Sequence, residues 1–218
     1  MIDESDKGGS DGLVQLSSTL RTLSTLTSDP GDVVPEELAE GWRQVSQLLN
    51  EADCKVSDLL AVTRAAQQER MDEQLLHSTL QGWNRQLLAL KSGACALLPL
   101  AWSTSVSSRH AVLVVLRRRG DYGTLALVNL AGSGSEYHPQ QLSDCATRPW
   151  RQISPVTCSS IPWSRLSSTV FWLFMLRPLV TGLALDEPHP ALLYEALLPF
   201  LTKKDGEFFD GNLSMRML

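Results

Sequence analysis

The run Ala111-Val112-Leu113-Val114-Val115-Leu116, the connector Arg117-Arg118-Arg119-Gly120-Asp121-Tyr122-Gly123 and the run Thr124-Leu125-Ala126-Leu127-Val128-Asn129-Leu130 decide the fold. Two short apolar runs bounded by turn formers read as buried strands of one antiparallel hairpin. If the turn is the four residues Gly120 to Gly123, Arg119 pairs with Thr124 and Asn129 falls opposite Val114. Both faces of the ribbon are apolar, so helices are expected to cover both. Arg117-Arg118-Arg119 is then a solvated hairpin tip.

Upstream, a further short apolar run, Ala94-Cys95-Ala96-Leu97-Leu98, follows Lys91-Ser92-Gly93 and reads as another strand. Everything before it has helical periodicity. Leu13, Leu16, Leu20, Leu23 and Leu26 recur at steps of three and four, and Ser28-Asp29-Pro30-Gly31-Asp32 ends that helix. Pro35 with Glu36 and Glu37 starts a second, since proline needs no N–H there and carboxylates suit the positive end of the dipole. Leu38, Trp42, Val45, Leu48 and Leu49 form its expected buried face. A third helical stretch runs from about Val56 to Leu90 and ends in the seam Leu76, Leu80, Trp83, Leu87 and Leu90, spaced alternately by four and three as helix–helix contacts are.

Downstream, prolines 139, 149, 155 and 162 punctuate a loop-rich stretch with a short strand near Arg151 to Ile153. Pro162 opens a helix through Trp163, Leu166, Val170, Phe171, Leu173 and Phe174. Arg177-Pro178 interrupts the apolar run to Leu185, too short for the roughly 20 residues a membrane span needs. A last helix from Pro190 is expected to stop at Pro199. Together these features predict an α+β chain: a leader at 1–11, a helical region at 12–91 whose helices pack on a small antiparallel sheet, and an α+β region at 92–218 that carries the hairpin and C-terminal helices. The tail from Lys203 to Leu218 has no clear stop, as expected of the front part of a longer protein.

The 218 residues are 43% apolar and 20% charged, enough for a core and too apolar for wholesale disorder. Charge is divided: residues 1–80 hold 15 acidic and 6 basic side chains, whereas 81–218 hold 9 and 13. Overall acidity argues against a nucleic-acid partner. Cys54, Cys95, Cys145 and Cys158 form no CxxC pair and have no histidine at ligand spacing, so neither a metal nor a cofactor is expected. The acidic N-terminus has no basic and apolar signal regions, which points to an intracellular, reducing location. GxSxG, GxxxxGK[ST] and a full dinucleotide-binding glycine pattern are absent.

One constellation can carry chemistry. His110 opens the first hairpin strand and Asn129 closes the second, followed by Gly132. An amide oxygen that accepts one ring N–H fixes the imidazole tautomer and frees the other nitrogen as a base. The arrangement resembles the His-Ala-Val strand and the Asn-x-x-Gly strand of papain-like cysteine hydrolases. That resemblance implies a thiol upstream at a helix N-terminus; Cys54, just before the run from Val56, fits, and the order Cys54, His110, Asn129 is the family's order. Gln47 stands where the family keeps an oxyanion-hole amide. No Cys-Gly-x-Cys-Trp box is present, and in the register above Asn129 lies about 13 Å along the sheet from His110. His138 is expected to cap the Gly-rich loop, and His77 to be solvated.

Two functions follow as expectations. The first is a non-enzymatic, intracellular protein-interaction module that binds a partner or itself through Leu76, Leu80, Trp83, Leu87 and Leu90. The second is a divergent papain-like cysteine hydrolase cutting a peptide or isopeptide bond, with Cys54 as nucleophile, His110 as base and Asn129 as orienter.

Overall fold

A computed structural model describes residues 11–28, 35–67, 73–103, 109–129, 133–142, 151–180 and 189–202. All of the expected leader 1–11 except Asp11, together with Cys145 and the tail from Lys203, lies outside them. Three helices come first, α1 (Gly12–Ser28), α2 (Glu36–Gln67) and α3 (Glu73–Ala89), followed by strands β1 (Cys95–Ser103), β2 (Arg109–Arg119) and β3 (Tyr122–Val128). A 3-10 turn (Ser135–Tyr137) leads into the short pair β4 (Gln140–Leu142) and β5 (Arg151–Ile153), then β6 (Val156–Pro162), α4 (Trp163–Leu166) and α5 (Thr169–Val180). The last helix is built of three consecutive pieces, His189–Ala191, a π-wound Leu192–Leu197 and Leu198–Thr202. This is the α+β arrangement expected from the sequence, helices before and after an antiparallel sheet of order β1-β2-β3-β6. No helix among the described residues is long and apolar enough to cross a membrane.

The hairpin forms, but with a different turn. Arg119 pairs with Tyr122, and the turn is the two residues Gly120-Asp121, with Gly120 at φ 61° as a first central position of type II′ requires. Gly123 is a strand residue opposite Arg118. A Cβ at Gly123 would stand 2.6 Å from Leu166 Cδ1 and 2.9 Å from Trp163 Cε3, so this glycine serves packing and not the turn. The pairing is therefore two residues tighter than the four-residue reading, and Leu113 faces Val128.

Burial alternates along both strands instead of being uniform. Val112, Val114 and Leu116 in β2 and Leu125 and Leu127 in β3 are sealed from solvent, while Leu113, Val115, Ala126 and Val128 on the opposite face are half-buried. The expectation of cover on both faces thus holds fully for one only. Small and β-branched side chains tolerate a half-buried pleat. Pro99 sits in β1, an edge strand, where its missing N–H leaves no ladder bond unmade. In β6, Ser160 at φ 58° marks the bulge between the Gly123–Ile161 and Leu125–Cys158 pairs.

On the sealed face, α4, α5 and the last helix supply Trp163, Leu166, Trp172, Met175, Leu193 and Leu198. The seam at Leu80, Trp83 and Leu87 belongs to this same core, being 1–2% exposed, with Leu76 and Leu90 partly buried against it. Trp83 meets Trp172 of α5 edge-on at 6.4 Å, and Asn84 donates to the Ser167 carbonyl. The seam's partner is thus α5 of the same chain, which corrects its expected use as an external interface.

Two helix readings also change. The apolar steps Leu49, Ala52, Val56, Leu59 and Val62 continue without a break, so α2 is one helix of 32 residues where two were expected. The last helix continues through Pro199 because its preceding turn is π-wound, with Leu198 N–H donating to Leu193 O; the widened turn relieves the clash a proline ring makes with the carbonyl four residues back. Replacement Trp83→Ala should lower the unfolding free energy by about 3–5 kcal/mol in urea denaturation, whereas an exposed interface seam would leave it within about 0.5 kcal/mol.

Candidate functional site

The tightened register makes the site. One step beyond the Leu113–Val128 pair, Asn129 stands level with Val112 and one same-face position from His110. The two side chains meet, His110 Nε2 to Asn129 Oδ1 at 2.9 Å. An amide oxygen only accepts, so Nε2 carries the proton and Nδ1 presents a lone pair. The expected 13 Å separation is overturned, because the turn is two residues and not four.

Each partner is itself held. Asn129 is 2% exposed and donates Nδ2 to the Ser133 carbonyl at 3.0 Å. Trp102, opposite His110 in the β1–β2 ladder, lies 5.0 Å from the imidazole, and its indole N–H reaches Ser133 Oγ at 3.2 Å. Gly134 follows at φ 84°, so close to the network that a Cβ would lie 3.0 Å from Tyr194 Cε2. Burial pushes the His110 imidazole below its ordinary 6.5, with the Asn129 bond and the Glu136 charge opposing.

A second histidine, this one buried, lies alongside. His138 ends the 3-10 turn, as a capping residue would, and its 4% exposure goes beyond that reading. Its Nδ1 donates to the Ser154 carbonyl at 2.9 Å, so its Nε2 accepts the Tyr194 hydroxyl proton at 2.7 Å. Burial lowers the His138 pKa and raises that of Tyr194. Tyr137 stacks on Tyr194 with ring centroids 4.7 Å apart and donates to Glu195, which with burial pushes its phenol up to about 12. Tyr194 comes from the π-wound turn, so the last helix is pinned to the hairpin through this network.

The helix that reaches this end of β2 is α1. Asp11 is its N-cap: Oδ1 accepts Leu13 N–H at 3.0 Å and the Asp11 carbonyl accepts Gln15 N–H. The other carboxylate oxygen pairs with Arg109 Nη1 at 2.5 Å, beside His110 in β2. Gly12 lets the helix end touch the strand, since a Cβ there would be 2.5 Å from Arg109 O and 2.9 Å from Ala111 N.

Cys54 is placed elsewhere. It is exposed in the interior of α2, so no helix N-terminus acts on it. It shares an open depression with Ser28, Arg43, Ser46, Gln47, Asn50 and Glu51, which extends along α2 to the C-terminal end of α1. Gln47 donates to Glu51 on the same helix. The structure therefore joins His110 and Asn129 and keeps Cys54 and Gln47 apart from them. Cys95 and Cys158 are half-buried in strands, and burial raises the Cys158 thiol. His77 is exposed and bonds Gln81. Among the described residues no three His, Cys, Asp or Glu side chains converge on a metal position. No protein-family model, curated protein or solved structure matches the chain.

Two outcomes follow. Asn129→Ala leaves a buried ring N–H unpaired and should cost about 1–3 kcal/mol, with loss of the single His110 tautomer in ring-nitrogen NMR. Both histidines protonate less readily folded than unfolded, so stability is complete above about pH 6.5 and is lost as pH falls below it. The urea midpoint should fall with acidification through that range, and more gently in the double variant His110→Gln, His138→Gln.

Proposed function

We propose that the chain is a non-enzymatic protein-interaction module on a papain-like scaffold, one that keeps the histidine–asparagine half of a thiol-hydrolase site and, among the described residues, brings no thiol to it. The observation that carries this reading is Asp11. A papain-like site needs its nucleophile at a helix N-terminus beside the histidine, where the dipole and the imidazolium lower a thiol's pKa. The helix end that meets β2 is that of α1; it packs on the backbone at Arg109 and Ala111 and carries an aspartate bound to Leu13 N–H and to Arg109, whose side chain leaves the opposite face of the strand from His110. A carboxylate fixed in this way is neither a thiol nor free to attack. Under this reading His110, Asn129, Trp102 and Tyr194 form a buried polar pin that holds sheet and last helix together.

The hydrolase reading keeps one observation in its favour, the His110–Asn129 bond, which leaves Nδ1 available as a base. It requires Cys54 to reach that nitrogen, and Cys54 is exposed on α2, in a depression lined by neither His110 nor Asn129.

Labelling with a mild thiol electrophile at neutral pH separates the two. The expected result is slow modification of Cys54, unchanged by His110→Ala, and no amide or isopeptide cleavage. Fast Cys54 labelling suppressed by His110→Ala would overturn the proposal.

A further inference from the structure

The apolar stripe of α2 runs from Leu38 through Trp42, Val45, Leu49, Ala52 and Val56 to Leu59 at helical spacing, but the body of the protein covers only its second half. Leu49, Ala52, Val56 and Leu59 are at most 8% exposed, whereas Leu38 is 58%, Val45 43% and Trp42 38% exposed. The far half of α1 adds Leu23 at 44% and Leu26 at 65%. Leu38, Trp42 and Val45 were expected to be buried.

The two bare stretches form one surface. Ser17 meets Asp53 and Ser24 meets Ser46 and Asn50, so α1 and α2 run antiparallel in fixed register. That register sets Leu23 and Leu26 at the level of Leu48 and Val45. Helical phasing relative to these contacts turns Leu23 on α1 and Leu38, Trp42 and Val45 on α2 to the same side, the side whose continuation enters the core.

We propose that this face is the contact between two copies of the chain, the stripes packing back to back as a four-helix bundle. Two properties favour a second copy. The first is area. Leu23, Leu38, Trp42 and Val45 leave on the order of 400 Å² of apolar surface in one patch, as large as a typical monomer's largest, and with their rim they supply much of the about 800 Å² per partner of a stable dimer. The second is charge. Glu40, Arg43 and Glu51 phase to the opposite side of α2, where Arg43 and Glu51 line the depression around Cys54. The rim of the stripe is Thr19, Gly41, Gln44 and Leu48 with Glu37 as its ionic side chain, so an identical face approaches with little repulsion. A two-fold axis near Trp42 sets the two indoles at the centre, where anchors contribute most.

This inference names what the proposed module binds, and its readout is separate from thiol labelling. Sedimentation velocity of the full chain from low to high micromolar concentration should show a dimer that dissociates on dilution. Trp42→Glu and Leu38→Glu should each raise the dissociation constant on the order of tenfold or more, with unchanged circular dichroism. Val170→Glu, at an equally exposed apolar residue of α5, should leave it unaltered. A wild-type chain that stays monomeric throughout, and so leaves the stripe to a different occupant, would overturn the proposal. A dimer insensitive to Trp42→Glu, or equally sensitive to Val170→Glu, would do the same.

Discussion

Gly123 under Leu166 and Trp163 is the contact on which the centre of the molecule depends. Because a hydrogen in place of a side chain lets α4 close on β3, Gly123 belongs to the strand and the turn shrinks to Gly120-Asp121. A shift of two residues preserves which face each side chain points to, so the hydrophobic pattern is equally satisfied by either register. What changes is the level at which polar groups meet. In the tighter register His110 and Asn129 share a bond; in the looser one both would be buried without it.

That bond is one link of a longer chain of buried polar contacts. Asn129, Ser133, Trp102, Tyr194, His138 and Ser154 are drawn from β1, β3, the loop after it, the segment before β6 and the last helix. Each group has a partner of the right kind, so the cost of burying it is offset within the network. The network also fixes both imidazole tautomers, because carbonyl oxygens accept at one nitrogen of each ring. The result is two histidines held in one tautomer each, His138 buried and His110 half-buried, and a last helix tied to the sheet by more than its leucines.

The N-terminal helices follow a different logic. Their contact with each other is largely polar, made by Ser17, Ser24, Ser46, Asn50 and Asp53, with Arg21 bridging to Asp53. Small hydroxyl side chains allow close helix approach, and the apolar stripes are left to face sideways. Half of that sideways face docks on the body; the other half projects past it. The distinctive surface of the protein therefore lies at one end of the helical pair, and the polar site at the other, where Asp11 caps α1 against Arg109.

The α+β class, the hairpin and the start of α2 at Pro35-Glu36 were legible from local patterns, since apolar spacing and turn or cap residues act over a few positions. His110 and Asn129 were legible as a pair of residue types, from their place at opposite ends of adjacent strands. Their contact was not, because a packing glycine and a turn glycine look alike in a sequence and only α4 distinguishes them. Tyr194 and Trp102 left no signal, being brought in by strand and helix pairings far apart along the chain. Cys54 read as a helix start because it just precedes the run from Val56, but tertiary burial of Ala52, Val56 and Leu59 carried α2 straight through it. The sequence by itself determined which segments are helix or strand and which faces are apolar. Tertiary structure decided which apolar faces are covered, which register holds and which polar groups meet, because those outcomes depend on contacts between segments that local spacing does not encode.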